Sequence, residues 1–288
     1  MSAARKQYLS LYHKFWMCRR LNSTKCDTNG SKLKLDFKDK VVFITGASSG
    51  IGAQTAADFA QLGAKLALVG RSKEGLEKTA QRCKSKEKPL TLQADLQSEC
   101  DIQTAFEETI QKYKRLDVLV NGAGIMEMGS IESTNLEQYD RTMQTNLRSM
   151  YQLCMLAAPE LIKTKGCIVN ISSVCGVRSF SNLVAYNISK SGVDQLTKSV
   201  ALDLGLKGVR CNCVNPGTIV TNLQKRGGMD EEAYKALLER GKQSHALGRN
   251  GNPTEVSSAI CFLASEMASF ITAVQLSVDG GRHALCPR

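Results

Sequence analysis

No apolar stretch in the 288 residues approaches the ~20 that a membrane-spanning helix needs, so a membrane span is not expected. There is no C-x-x-C, and no cluster of Cys and His has the spacing of a metal site, so no metal is expected. Eleven cysteines, an odd number, are scattered along the chain, which reads as buried reduced thiols in an intracellular protein. Cys211 and Cys213 alternate in "VRCNCVN", as two thiols on one face of a strand would. His245 and His283 lack partners in sequence and read as surface or interface residues. Between residues 38 and 288 there is no repeat and no Pro/Gly/Ser linker, so one domain is expected there.

Acid is nearly missing from the start. Residues 1–35 hold eight Lys and Arg against Asp27 alone, so eight minus one puts +7 of the chain's +11 in this stretch. The body is only mildly basic, which argues against nucleic acid as the main partner. Residues 1–37 read as a basic arm. It lacks the apolar core of a secretory signal, since His13 and Lys14 interrupt it. Tyr8, Tyr12 and Phe15 make a weak amphipathic stripe, and Arg19–Arg20 ahead of "LNST" resembles the end of a mitochondrial presequence. Mitochondrial and cytoplasmic placement stand level on this composition.

From Lys40 onward short β-branched runs alternate with stretches of helical spacing: "KVVFITG", "AKLALVG", "PLTLQAD", "LDVLVNG", "GCIVNISS", "GVRCNCVNPG" and "AVQLSVDGG". The spacing between the fourth and fifth runs predicts a helix-rich region from about Leu136 to Leu161. Near-continuous apolar runs separated by helices imply a parallel sheet buried on both faces. The expectation is an α/β fold: a single doubly wound Rossmann-type domain with a seven-stranded parallel sheet and helices on both sides.

The first run ends in "TGASSGIG", with Gly46, Gly50 and Gly52 between strand and helix. Such a turn needs residues without Cβ, and a pyrophosphate can approach a helix N-terminus only over bare backbone. Ser48 and Ser49 add hydroxyls for phosphate. Where NAD-binding folds commonly carry an acid after the second strand, this chain has Gly70 and Arg71. A guanidinium there fits the 2′-phosphate of NADP(H) better than the free ribose of NAD(H).

Ser172 and Ser173 close the fifth run, at the sheet edge where ligands bind. Tyr186 and Lys190 follow at i, i+4, on one face of a helix. Reduction of a carbonyl needs a proton for oxygen as hydride reaches carbon. An ammonium beside a phenol stabilises the phenolate and is expected to bring its pKa toward the working range. A serine hydroxyl on the same oxygen orients and stabilises it. After the sixth run, Gln224 to His245 forms a polar insert that reads as a lid, with Gly227–Gly228 as hinge and Met229, Tyr234, Leu237 and Leu238 turned to substrate. Asp230–Glu232 reads as a helix start.

These elements together resemble the short-chain dehydrogenase/reductase family over residues 38–282. They arrive in the family's order: "TGASSGIG", "ADL", "NGAG", "QTNL", "SS", "YNISK", "NPGTIVT" and "SVDGG". "HALGRNGNPTEVSSAICFLASEMASFITAVQLSVDGG" looks most like the 3-oxoacyl-carrier-protein reductase branch, and the "GGRHALCPR" ending resembles insect members of it. The resemblance implies a catalytic tetrad of Asn146, Ser173, Tyr186 and Lys190. It implies Asp95 and Leu96 at the adenine, with Asn121, Ala123 and Gly124 beside the cofactor. Pro216, Gly217, Ile219 and Thr221 would line the nicotinamide, Ile51 and Ser72 would complete the cofactor contacts, and Lys190 would also hold the ribose. A homotetramer is implied as well. Two departures are Gly122 in "NGAG", where the family has Asn, and Ala273 before the last strand, where glycine is common.

The function expected is an NADP(H)-dependent carbonyl or 3-oxoacyl reductase acting on a small ketone or secondary alcohol. An NAD-dependent hydroxysteroid or hydroxyacyl dehydrogenase is the alternative within this chemistry. A non-catalytic nucleotide- or RNA-binding protein is the alternative outside it, supported by the arm alone.

Overall fold

The computed structural model describes residues 35–85 and 87–286. The charge of the basic arm, and with it the targeting and polyanion readings, lies outside those residues. Phe37, placed at the end of the arm on sequence, is buried and meets the Phe59 ring edge-on at 4.8 Å.

Seven parallel strands form one sheet. They are β1 Val41–Thr45, β2 Lys65–Gly70, β3 Leu90–Gln93, β4 Val118–Asn121, β5 Cys167–Ile171, β6 Arg210–Pro216 and β7 Gln275–Val278. Their order is β3-β2-β1-β4-β5-β6-β7. The helices are α1 Gly50–Gln61, α2 Lys73–Arg82, α3 Glu99–Tyr113, α4 Leu136–Met143, α5 Ser149–Thr164, the short α6 Val174–Val177, α7 Val184–Gly205, the short α8 Leu223–Arg226, α9 Glu231–Ser244 and α10 Pro253–Ala264.

Alternation along each strand divides the core in two. Val42 and Ile44 of β1, with Leu66 and Leu68 of β2, face Phe59 of α1, Leu76 of α2 and Ile260 of α10. Val41, Phe43, Ala67 and Val69 face the other way, onto Ile102 and Phe106 of α3, Leu153 and Leu161 of α5 and Ala201 of α7. Burying a side chain of this size contributes roughly 1.5–3 kcal/mol. Both faces being dry is the reason the runs are continuous rather than alternating in hydrophobicity. Cys211 and Cys213 of β6 are both fully buried, on one face of the strand as their spacing implied.

The chain winds outward from β1 to β3, returns beside β1 as β4, and continues to β7. At that reversal the loops after β1 and β4 part and open a crevice at the carboxyl ends of the strands. The helix-rich region from Leu136 holds two helices joined without a break. Between α4 and α5 the residues Gln144–Arg148 form a single π-helical turn.

Ala273 turns into β7 with φ of 63°. Its N–H donates to the Cys211 carbonyl at 2.8 Å, which fixes that conformation. Left-handed backbone costs a residue with a Cβ roughly 1–2 kcal/mol, part of which glycine gives back through its freer unfolded chain. Ala273→Gly is therefore expected to stabilise the fold by about 0.5 kcal/mol. Urea unfolding would read this as a higher midpoint at unchanged slope; a lower midpoint would mean that the packing of the Ala273 methyl outweighs its backbone cost.

Candidate active site

The floor of the crevice is backbone. Gly46 has φ of 67°, and a Cβ on it would stand 2.6 Å from the Gly122 carbonyl oxygen. A Cβ on Gly52 would overlap the Gly46 carbonyl. Thr45 Oγ1 accepts from the N–H groups of Gly122 and Ala123 at 3.0 and 3.1 Å, tying the end of β1 to the end of β4. The crevice, of about 400 Å³, runs over this floor. Gly46, Ser48, Ser49, Gly50, Ile51 and Gly52 line it, with the N-terminus of α1 behind them. A bare floor at a helix N-terminus, with two hydroxyls, fits the phosphates of a dinucleotide.

Toward β2 and β3 the lining continues through Arg71, Ser72, Asp95 and Leu96. Arg71 is exposed and has no ion-pair partner among the described residues. The Ser72 hydroxyl is already engaged, accepting from Gly75 N–H at 3.1 Å as the cap of α2. Asp95 Oδ1 accepts from Gln97 N–H at 3.1 Å and keeps its second oxygen for the crevice.

Ser173, Tyr186 and Lys190 line the far wall. The two adjacent serines have separate tasks. Ser172 Oγ donates to the Lys190 carbonyl at 3.1 Å and anchors α7. Ser173 Oγ accepts from Cys175 N–H at 3.1 Å and remains on the crevice. Lys190 Nζ donates to the Ile171 carbonyl at 2.9 Å and lies 5.7 Å from the centre of the Tyr186 ring. Burial pushes the Tyr186 phenol well above its ordinary value, with the Ser173 hydroxyl drawing it back. Burial also lowers the Lys190 ammonium to about 8, against the opposing pull of the Asp194 carboxylate. The ammonium expected to bring the phenol down is not among the groups that shift it here, and burial sets the direction for both residues.

Asn146 stands behind this wall, fully buried in the π-helical turn. Its Oδ1 accepts from Ile125 N–H at 2.8 Å, and its Nδ2 donates to the Ile125 carbonyl at 2.9 Å and to Ser189 Oγ at 3.0 Å. A Cβ on Gly124 would come within 3.3 Å of Asn146 Oδ1 and 3.6 Å of Lys190 Nζ, so the three residues meet at one point. The side chain of Asn121 does not reach the crevice. Its Nδ2 donates to Asn170 Oδ1 at 2.9 Å, and the residue is fully buried. It is the next residue after Val120, which faces the opposite core, so strand alternation turns it toward Cys154. Gly122, Ala123 and Gly124 line the crevice in its place.

Pro216, Gly217, Ile219 and Thr221 form the remaining wall. They are held by a residue whose role the sequence did not show. His245 is buried, not a surface or interface residue. Its Nε2 accepts from Thr218 N–H at 3.1 Å, and its Nδ1 faces the Gly241 carbonyl at 2.5 Å. That arrangement places the proton on Nδ1 and makes the imidazole a brace between α9 and the loop after β6. No local pattern announces such a brace, since Gly241 is one helical turn away but Thr218, the group it holds, lies 27 residues back in the chain. His283 pairs with Asp279 at 2.9 Å, and no metal cluster occurs among the described residues.

The insert after β6 folds as α8 and α9, with Asp230 capping α9 by accepting from Ala233 N–H at 2.8 Å. Tyr234 does not face substrate as expected. It is buried, and its hydroxyl donates to the Thr221 carbonyl at 2.9 Å. The apolar surface beside Tyr186 comes instead from Met126, Val174 and Cys175, joined by Phe180, Leu183 and Leu223. Leu223, Gln224 and Arg226 of α8 reach the crevice, and none of them was singled out on sequence.

A doubly wound sheet opening at this switch point defines the class of fold, one suited to binding a dinucleotide. Residues 46–283 match the family model described as Enoyl-(Acyl carrier protein) reductase. The chain is 35% identical over 246 residues to an L-fucose dehydrogenase of Oryctolagus cuniculus, covering 85% of each. It is 37% identical over 246 residues to a 3-oxoacyl-[acyl-carrier-protein] reductase of Thermotoga maritima, covering 84% of this chain and 97% of that one. A short-chain dehydrogenase/reductase of Caenorhabditis elegans, solved with cofactor, superimposes with a TM-score of 0.81 and 32% identity over 87% of this chain and 97% of that chain. The chain belongs to the short-chain dehydrogenase/reductase family, whose members here oxidise alcohols or reduce ketones.

Proposed function

We propose that the chain is an NADP(H)-dependent reductase of carbonyl or 3-oxoacyl type, with a ketone or secondary alcohol as substrate. One juxtaposition carries the reading: Ser173, Tyr186 and Lys190 on one wall of the crevice whose floor is the glycine turn. The nicotinamide, when bound, supplies or takes the hydride. Tyr186 gives its proton to the carbonyl oxygen as that oxygen gains charge. Burial holds the phenol protonated until then, which suits a donor. The Ser173 hydroxyl orients the same oxygen. Lys190, lowered to about 8, returns the proton to Tyr186 at little cost near neutrality. Asn146 fixes the Ile125 backbone beside Lys190 and so holds this wall in place.

Tyr186→Phe is expected to abolish turnover of a ketone panel with NADPH while leaving NADPH affinity nearly unchanged. The change removes one hydroxyl and keeps the ring. Residual turnover above a few per cent of wild type would remove Tyr186 from the role.

Arg71, exposed and without an ion partner, supports NADP(H) as the cofactor. Hydrogen bonds to charged groups are worth roughly 1.5–3 kcal/mol, so Arg71→Asp should weaken NADPH by about tenfold to a hundredfold. The new carboxylate can accept from the ribose hydroxyls of NADH, so preference should reverse. Comparing kcat/KM for both cofactors in both proteins decides it, and an unchanged ratio would overturn the assignment.

The assembly proposed is a homotetramer. Tyr151 and Met155 on α5, and Leu202 on α7 with Leu206 capping its end, are large apolar side chains left exposed one helical turn apart, which supports self-association. Light scattering should give about four times the 31.4 kDa chain mass, and a monomer at micromolar concentration would refute it.

A further inference from the structure

We infer that Arg226, on the short helix α8, clamps the pyrophosphate of the dinucleotide. The inference rests on the cofactor reading above and adds to it a residue outside the family motifs quoted from this chain.

Arg226 Nη1 donates to Ser49 Oγ at 2.9 Å, bridging the lid to the glycine turn across the crevice that both line. Ser49 is the cap residue of α1, yet its side chain makes no capping bond there. Its hydroxyl therefore stands at the helix N-terminus with the guanidinium opposite. Arg226 has no carboxylate partner among the described residues. Its neighbour Lys225 does: Nζ lies 2.7 Å from Glu231 Oε2 and 4.6 Å from the centre of the Tyr234 ring. A free guanidinium facing a helix N-terminus places two positive ends across one cleft, an arrangement that an anion between them would stabilise.

The anion's position follows from the sheet. Strand order β2-β1-β4 puts Arg71 at one end of the crevice and the Gly124–Lys190 meeting point at the other, with Ser49 and the glycine turn between them. In a dinucleotide the pyrophosphate lies between the two nucleosides. A second observation points to a ligand under the same helix. Gln224 is nine-tenths buried, lines the crevice, and its Oε1, an acceptor without a partner, suits a hydroxyl or amide N–H of a dinucleotide rather than its phosphates. The helix is also braced from outside, since Tyr234 Oη donates to the Thr221 carbonyl at 2.9 Å and Gly227 lies against the Met126 carbonyl. Arg226 is thus held over the glycine turn by contacts it does not itself make.

The test is a set of dissociation constants for NADPH, NADH and ADP-ribose, measured on the full chain and on Arg226→Gln and Arg226→Lys. A pyrophosphate contact predicts that Arg226→Gln weakens all three ligands by a common factor of about tenfold, because the diphosphate is common to them. Arg226→Lys should recover part of the loss. Affinities equal to wild type would overturn the inference, and so would a loss confined to NADPH, which would move the contact to the 2′-phosphate. Unequal thermal unfolding of the free proteins would assign the loss to a damaged fold, and Arg226→Lys, if native, then decides the question by its own affinities. A wild-type chain that binds no dinucleotide would overturn the cofactor reading itself, an outcome distinct from equal binding by wild type and variant.

Discussion

The crevice depends on a single close approach. The loops after β1 and β4 leave adjacent strands in diverging directions, yet they touch where Gly46 meets the Gly122 carbonyl. Thr45 holds that contact with one hydroxyl shared by two N–H groups. An added methyl at Gly46 would force the two loops apart and move every residue downstream of them. The α1 N-terminus, Ala123 and Gly124 all take their positions from this point, and through Gly124 so does the distance to Lys190. The chemistry at Tyr186 therefore inherits its geometry from a packing constraint on two residues that have no side chains.

What the sequence made legible follows from the range of the physics involved. Seven strands and their order of use were visible because apolar periodicity is local. The glycine turn, Ser173, Tyr186 and Lys190 were visible because strand ends and helix faces are fixed by positions near in sequence. Asn121 could have been placed by the same logic. It alternates with Val120 and so had to face the α5 side, but a motif reading took precedence over the strand's own period. His245 and Arg226 were out of reach for a different reason. Each acts on a group distant in the chain, and no spacing rule records a contact that only the folded sheet creates. The π-helical turn around Asn146 was equally hidden, since an inserted residue alters hydrogen bonding without altering composition.

Tyr186 and Lys190 show where a pairwise electrostatic argument stops short. Charge on charge was expected to decide the phenol's acidity. Burial acts on both groups at once and moves them in opposite directions, the phenol up and the ammonium down to about 8. In the function proposed, this leaves Tyr186 a proton donor that stays loaded and Lys190 a neighbour that gives up its proton more easily than an exposed lysine. For reduction this is a workable division. Phenolate formation then requires that the oxygen's charge be met from the crevice itself, by the Ser173 hydroxyl and by whatever cation faces it at that moment.

The substrate side is built on another principle from the cofactor side. The segment just after Ser173 is tied to the chain end, where Arg178 Nη1 donates to the carbonyls of Arg282, His283 and Leu285 at 3.1, 3.1 and 2.9 Å. Arg282 in turn stacks on Phe180 with its guanidinium carbon 4.7 Å from the ring centre. Met126 enters from the loop after β4 and Leu223 from α8. Four segments far apart in sequence thus meet beside Tyr186, and none is constrained by the backbone geometry that fixes the glycine turn. Change can accumulate in them without disturbing the proton donor. A sugar dehydrogenase and an acyl reductase stand at nearly equal identity to this chain, as expected where one fold carries different substrates.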